Sequence, residues 1–422
     1  MYARYVIFAL ALCCLSLANA PVEALSRRDA ILIALEANPE VTAAEKAWEA
    51  AQARSRQARA LPDPELELEY EELPGVTRFG DFGSRAFGAT QRIESPLKWW
   101  RRSSAARQAA EAVHLGLLEM TRLDISSRVK VAYDRVLFNQ KKLEYIQQNL
   151  QLAQDFLEKA QLRLEAGDVS QLEVLRAEVE AGRAANRLSS IRNELAIARA
   201  ELNTLLVRES VAVSEIDGAL DFEPVTLALK PLQQSALEQR PDLLGAEWAL
   251  ASAHSERGLA RAALLPDLNI GLFRQTIQDT GGKDDLWRVG LSLEFPLWGA
   301  ARQRGLLAEA NASVGQVTAE QSALRYRVLL EVESAFLEVQ TSAEQVRLYQ
   351  DRIVRVAERS FEVASRSYAE GKATYLELLE AQRALTGVRE EYAGALFSHR
   401  TAVADLERAV GDESILEHRE NE

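Results

Sequence analysis

Apolar and polar positions in this chain follow two periods, which take turns along the sequence. In Glu65-Leu66-Glu67-Leu68-Glu69-Tyr70-Glu71 every apolar residue falls on one side and every carboxylate on the other, the period of two that marks a strand with unlike faces. A partner strand is predicted from about Ser84 to Glu94. A second pair runs over Leu268–Ile277 and Leu286–Phe295, with Trp287, Val289, Leu291, Leu293 and Phe295 on one side. Each is about ten residues, the length a tilted strand needs to cross a bilayer. Pro96 and Pro296 end the second strand of each pair, because proline donates nothing to a ladder.

Between the pairs the period lengthens. Leu143, Ile146, Leu150, Ala153, Leu157, Ala160 and Leu164 are spaced three and four residues apart in turn, a coiled-coil seam. Leu188, Ile191, Leu195, Ala198, Leu202 and Leu205 repeat it on a returning helix, and Val354, Ala357, Phe361, Ala364 and Tyr368 repeat it later. From Arg101 to Glu165 there is no proline, and Gly116 is the one weak point. About 65 helical residues at 1.5 Å each is on the order of 100 Å, more than a compact domain uses.

The two halves are copies. Ala34-Leu35-Glu36 and Pro39 return as Ala236-Leu237-Glu238 and Pro241, Leu61-Pro62-Asp63 as Leu265-Pro266-Asp267, and Gly167 with Leu172-Glu173 as Gly371 with Leu376-Glu377. The offset stays between 200 and 204, as expected of a duplicated unit. The expected organisation is a leader over 1–20, a first repeat over 21–207 (strands about 64–72 and 84–95, hairpin tip about 164–173), a linker over 208–230, a second repeat over 231–411 (strands about 267–277 and 286–296, tip about 368–380) and a tail over 412–422.

Arg4 precedes an apolar run from Val6 to Leu17 that ends in Ala18-Asn19-Ala20, which reads as a cleaved secretory signal. Cys13 and Cys14 lie inside it, and Leu12 before Cys13 fits a lipid-attachment signal poorly. Removing Arg4 leaves 50 − 1 = 49 Lys+Arg against 63 Asp+Glu, a formal charge of −14. That balance disfavours nucleic acid or anionic lipid as a partner.

Four strands cannot close a barrel, and open edges invite aggregation. In a membrane every backbone polar group must be satisfied, so strands from several copies would have to close one barrel. Charge toward lipid is costly, which turns Glu65, Glu67, Glu69, Glu71 and Glu294 toward an acidic lumen. Trp99, Trp100 and Trp298, just past the strand ends, suit either an interfacial belt or a core where helices dock on strands. The alternative class is an exported soluble coiled-coil scaffold or adaptor with a small accessory sheet.

Chemistry is sparse. His114, His254, His399 and His418 are scattered, with no His-Glu-x-x-His, no Gly-x-Ser-x-Gly and no phosphate-binding glycine loop, so no enzyme is expected. With Met120 alone and no cysteine after the leader, no soft-metal ligand set and no cofactor are expected. At the tips, Gly167 and Gly371 suit left-handed helix stops. The segments Ser170-Gln171-Leu172-Glu173 and Thr374-Tyr375-Leu376-Glu377 match capping boxes.

The duplicated plan and these tips resemble the TolC-type outer-membrane efflux family over essentially the whole mature chain. The most specific stretch is Ser367-Tyr368-Ala369-Glu370-Gly371-Lys372-Ala373-Thr374-Tyr375-Leu376-Glu377-Leu378-Leu379-Glu380-Ala381-Gln382, with a weaker copy from Arg163 to Leu175. Leu61-Pro62-Asp63-Pro64-Glu65-Leu66 and the run from Gln91 to Lys98 are similar to the heavy-metal branch. The resemblance implies a mainly α fold with a β-barrel portion, a homotrimer whose twelve strands form an outer-membrane barrel continuous with a periplasmic helical barrel. It also implies partners: outer-membrane lipid, a periplasmic adaptor (membrane fusion protein) and an inner-membrane pump of the RND type. Leu376, Glu377 and Glu380 then match the periplasmic gate. Tyr368 and Glu173 match latch positions, and Gly167 and Gly371 mark the adaptor contact. Lys372 falls one position before the family's basic latch residue, where this chain has Ala373.

Overall fold

The computed structural model describes residues 24–412 apart from 74, 76, 78, 81, 209–215, 223, 225–226, 280–281 and 296–298. The leader with Cys13 and Cys14, the strand end at Pro296, Trp298, His418 and the tail beyond residue 412 lie outside the described residues. In order the elements are α1 (Arg27–Ala37), α2 (Pro39–Gln57), β1 (Glu65–Glu71), β2 (Ser84–Ile93), α3 (Pro96–Val113), α4 (Met120–Glu165), α5 (Gln171–Leu205), α6 (Leu229–Gln239), α7 (Pro241–Ala262), β3 (Asp267–Asp279), β4 (Gly282–Glu294), α8 (Ala300–Leu348), α9 (Val354–Ala369) and α10 (Tyr375–Val410). They divide into two compact units. One holds residues 1–42, 121–240 and 328–422, and the other holds 43–120 and 241–327.

In the second unit the four strands form a single antiparallel sheet in the order β1-β2-β3-β4. Pairing across the ladder puts Glu65, Glu67, Glu69 and Glu71 on the same face as Ser84, Thr90, Arg92, Asp267, Arg288 and Glu294. The other face carries Leu66, Leu68, Phe87, Leu272, Trp287, Val289, Leu291 and Leu293, all exposed, with Leu66 at 74% and Leu291 at 71%. β3 and β4 are 13 residues each, longer than the ten expected. The sequence around Lys283-Asp284-Asp285 is polar on both faces and carries no alternation, so the pattern stops before the ladder does.

The helices around the sheet pack closely. The helix expected to run unbroken through Gly116 instead passes through a π-helical turn, His114–Glu119. A second such turn, Tyr349–Ile353, precedes α9 in the other unit. At the first, Gly116 meets Gly245 of α7 so closely that a Cβ on Gly245 would come within 2.6 Å of the Gly116 Cα and N. Only backbone fits there. Gly245→Ala is therefore expected to destabilise this packing by about 1–3 kcal/mol, read as a lower thermal unfolding midpoint, whereas Gly315→Ala, with open space around it, should leave the midpoint within about a degree or raise it.

The first unit is built on the seams. Ile146, Ala153, Ala160, Ile191, Leu195, Ala198 and Leu202 are buried, while the larger partners Leu143, Leu150 and Leu157 are half-buried. Tyr133 donates to the Leu25 carbonyl at 2.8 Å and also reaches the Asp217 carbonyl, which ties the start of the chain to the segment after α5. Asp134, fully buried, accepts from Arg27 at 2.7 Å and Arg400 at 3.1 Å. Removing one partner of such a buried pair leaves an uncompensated charge and costs several kcal/mol.

Candidate functional site

Both hairpin tips turn by the same device. Gly167 has φ of 82° and Gly371 φ of 73°, and each is followed by an amide that reaches five residues back, Asp168 to the Arg163 carbonyl and Lys372 to the Ser367 carbonyl, each at 2.8 Å. This is the glycine-terminated stop in which an L side chain is strained. The next helices start differently. Thr374 accepts from the Glu377 amide at 3.3 Å while the Glu377 carboxylate accepts from the Thr374 amide at 2.7 Å, a complete capping box. The Thr374 amide, then its hydroxyl, hold the Glu377 carboxyl below the usual carboxylate range. Ser170 makes no such side-chain bond, so the capping box expected at Glu173 is not formed.

Glu173 is used elsewhere. Its carboxylate accepts from the Tyr368 hydroxyl at 2.5 Å, joining the start of α5 to the end of α9. The Arg163 guanidinium stands over the Tyr368 ring at 5.2 Å from its centre, and Tyr375 packs beside it. Burial, then the hydrogen bond to Glu173, push the Tyr368 phenol up to about 12. Lys372 is turned away, pairing with Glu370 at 2.6 Å. The basic residue at this tie is Arg163, which sequence reading missed. Its signal was present, four residues before Gly167 in the weaker copy of the tip motif.

Beneath the tie the tips enclose a small core of Phe156, Ala160, Ala177, Tyr375, Leu378 and Leu379. Above it α5 and α10 are clasped by charge. Arg383 grips Glu180 and Arg187 pairs with Glu390 at 2.7 Å. Both pairs are 203 residues apart, and their signs are reversed. Leu376, Glu377 and Glu380 are all exposed on α10, beside the buried Tyr375, Leu378 and Leu379. Glu377 and Glu380 are one turn apart on one face, and Glu380 has no ion-pair partner among the described residues.

The polar face of the sheet is mixed rather than purely acidic. Thr90 donates to Glu67 at 2.5 Å and Ser84 to Glu71 at 3.0 Å. Arg92 bridges Asp267 at 2.7 Å and Glu294 at 3.9 Å. Arg288 on β4 reaches Glu69 on β1 at 3.6 Å. Two strands lie between them, and strands are about 4.8 Å apart, so the sheet must curl with this face inside. Trp99 and Trp100 are exposed, at 38% and 50%. Among the described residues no helix is long and apolar enough to cross a membrane, and no group of three or more His, Cys, Asp or Glu could hold a metal ion.

Residues 30–207 and 232–412 match the family described as outer membrane efflux protein, one match per repeat. The cobalt-zinc-cadmium resistance protein CzcC of Cupriavidus metallidurans is 26% identical over 385 residues, 90% of this chain and 89% of that one. The cation efflux system protein CusC of Escherichia coli is 26% identical over 238 residues, 55% of this chain and 48% of the relative. Among solved structures, the outer-membrane channel OprN aligns with a TM-score of 0.76 at 21% identity, covering 93% of this chain and 90% of that one. CusC aligns at 0.75 and 21%, covering 92% of each. The open-state MtrE channel of Neisseria gonorrhoeae aligns at 0.74 and 20%, covering 92% of this chain and 89% of that one.

Proposed function

The chain belongs to the outer membrane efflux protein family, and from that premise we propose that three copies close one twelve-stranded barrel as the exit duct of a tripartite pump for metal cations. The observation that carries this reading is the four-stranded sheet with an exposed apolar face and two unpaired edges. In hydrocarbon an edge leaves a row of unsatisfied backbone groups, so β4 of one copy pairs with β1 of the next and the ring closes head to tail. Four is even, so that pairing is antiparallel like the rest. Two copies would give about eight strands, whose interior side chains fill. Three leave a lumen.

The polar face with Glu65, Glu67, Glu69, Glu71 and Glu294 then lines the lumen and favours cations over anions. The metal cargo rests on the likeness to CzcC and CusC, whose names record cation resistance and efflux. Around Gly167 and Gly371 the tips supply the contact for a periplasmic adaptor that couples to an inner-membrane pump of the RND type, because loops on rigid helices are where partners engage.

Leu376, Glu377 and Glu380 form the periplasmic gate. Three copies of Glu380 around the axis repel one another, by about 3 kcal/mol per pair at 6 Å and an effective dielectric of 20, and a multivalent cation relieves that repulsion. The purified protein in planar bilayers is expected to conduct with cation preference and to be blocked by multivalent cations from the periplasmic side. Glu380→Ala should remove the block and keep the trimer. Anion selectivity of the parent would sink the lumen assignment, and a block that survives Glu380→Ala would move the gate elsewhere.

A further inference from the structure

The net charge of −13 hides a local reversal. The four stretches where strands join helices, residues 54–62, 96–110, 257–266 and 299–308, hold eleven Arg and Lys and no Asp or Glu. Two of the carboxylates that flank them are already committed, whereas Asp63, Glu256 and Glu309 adjoin the stretches and are exposed. Glu94 pairs with Arg102 at 2.5 Å, and Asp267 with Arg92 and Lys98 at 2.7 and 2.9 Å. Arg54, Arg56, Arg59 and Arg261 are exposed and have no carboxylate partner among the described residues. In a protein this acidic, uncompensated guanidiniums gathered at one end of the strands call for an external anion.

What lies beside them identifies it. Leu61, Leu97, Leu264 and Trp100 are exposed in the same stretches. The Trp99 indole donates to the Arg59 carbonyl at 2.9 Å, and the Arg101 guanidinium stacks on the Trp100 ring at 4.5 Å. Apolar bodies with tryptophan and arginine tips are the composition of a membrane interface. These ends of the strands are the ones that join the long helices, whereas the opposite ends are joined by residues 72–83 and 280–281 alone. With the helices in the periplasm, they meet the inner leaflet, where the headgroups are phospholipid.

We infer that the strand–helix junctions form a basic, tryptophan-bearing collar that binds anionic phospholipid headgroups of the inner leaflet. The inference rests on the outer-membrane location. It also reverses, for this one region, the exclusion of anionic lipid drawn from overall charge. Each surface Arg contributes about 1 kcal/mol toward an anionic membrane, roughly fivefold in affinity. The carboxyl-free stretches are the observation that a solvated surface alone does not explain.

The test uses the full-length protein in neutral detergent, titrated with phosphatidylglycerol or with phosphatidylcholine while thermal unfolding is followed. Phosphatidylglycerol is expected to raise the midpoint and phosphatidylcholine not, with the difference shrinking at high salt. Arg54→Gln, Arg56→Gln and Arg59→Gln together should weaken the phosphatidylglycerol response at least tenfold in concentration, with unchanged circular dichroism and unchanged bilayer conductance. Equal responses to the two lipids, an undiminished response in the triple variant, or a response to lipopolysaccharide but not to phosphatidylglycerol would each overturn the collar. Conductance is recorded separately, so a conducting channel without lipid preference refutes the collar alone, and a parent that does not conduct refutes the duct.

Discussion

Leu291→Arg is expected to keep the chain out of the outer membrane. Leu291 stands at the centre of the alternating apolar run Trp287–Phe295, on the exposed face among Val289, Leu293 and Leu272. An Arg at the bilayer midplane costs about 2–4 kcal/mol, and a closed ring of three copies repeats that cost three times. Membrane fractionation should find the variant depleted from the outer membrane by tenfold or more. Glu67→Gln, on the opposite face of β1 and hydrogen-bonded to Thr90, is the matched control and should insert as the parent does. If Leu291→Arg inserts normally, the apolar face does not meet lipid, and the barrel must be built another way.

Tyr368→Phe is expected to open the periplasmic end. The hydroxyl it removes donates to the Glu173 carboxylate across the two hairpins of one chain. A hydrogen bond to a charged group contributes about 1.5–3 kcal/mol, so the closed-to-open ratio should fall by about tenfold to a hundredfold per copy. Glu173→Gln keeps an acceptor and should have a smaller effect. The sign of the pH dependence follows from the phenol, whose folded value of about 12 lies above its ordinary 10.0. The contribution is therefore complete below pH 10 and lost as pH rises through about 12. Single-channel recording decides: a closed fraction unchanged in both variants removes the latch.

The strict alternation over Glu65–Glu71 made β1 legible, because one face meets something apolar and the other something wet. The same logic recovered the partner strands and failed at their outer ends, where Lys283, Asp284 and Asp285 are exposed whichever way they point. Three-four spacing exposed the seams but not the π turn at His114–Glu119. That turn brings Gly116 against Gly245, a contact between residues 129 positions apart (245 − 116). The repeat located both tips, yet it suggested a shared role for Glu173 and Glu377 where the structure divides the work. One holds Tyr368 across the hairpins, and the other starts α10. Duplication preserves spacing, and partners brought in by packing then decide what each copy does. The clasp of Arg383 on Glu180 and Arg187 on Glu390 was invisible for the same reason.

That clasp works as a vernier between the two hairpins. Its charges are seven residues apart on each helix, so sliding α10 by two turns along α5 would set Glu180 against Glu390, or Arg187 against Arg383. Only one setting brings unlike charges together, and the neighbouring notches on either side repel. Within one chain the clasp therefore opposes sliding of one hairpin along the other. In the proposed trimer, three subunits so braced would stay level at the rim offered to the adaptor.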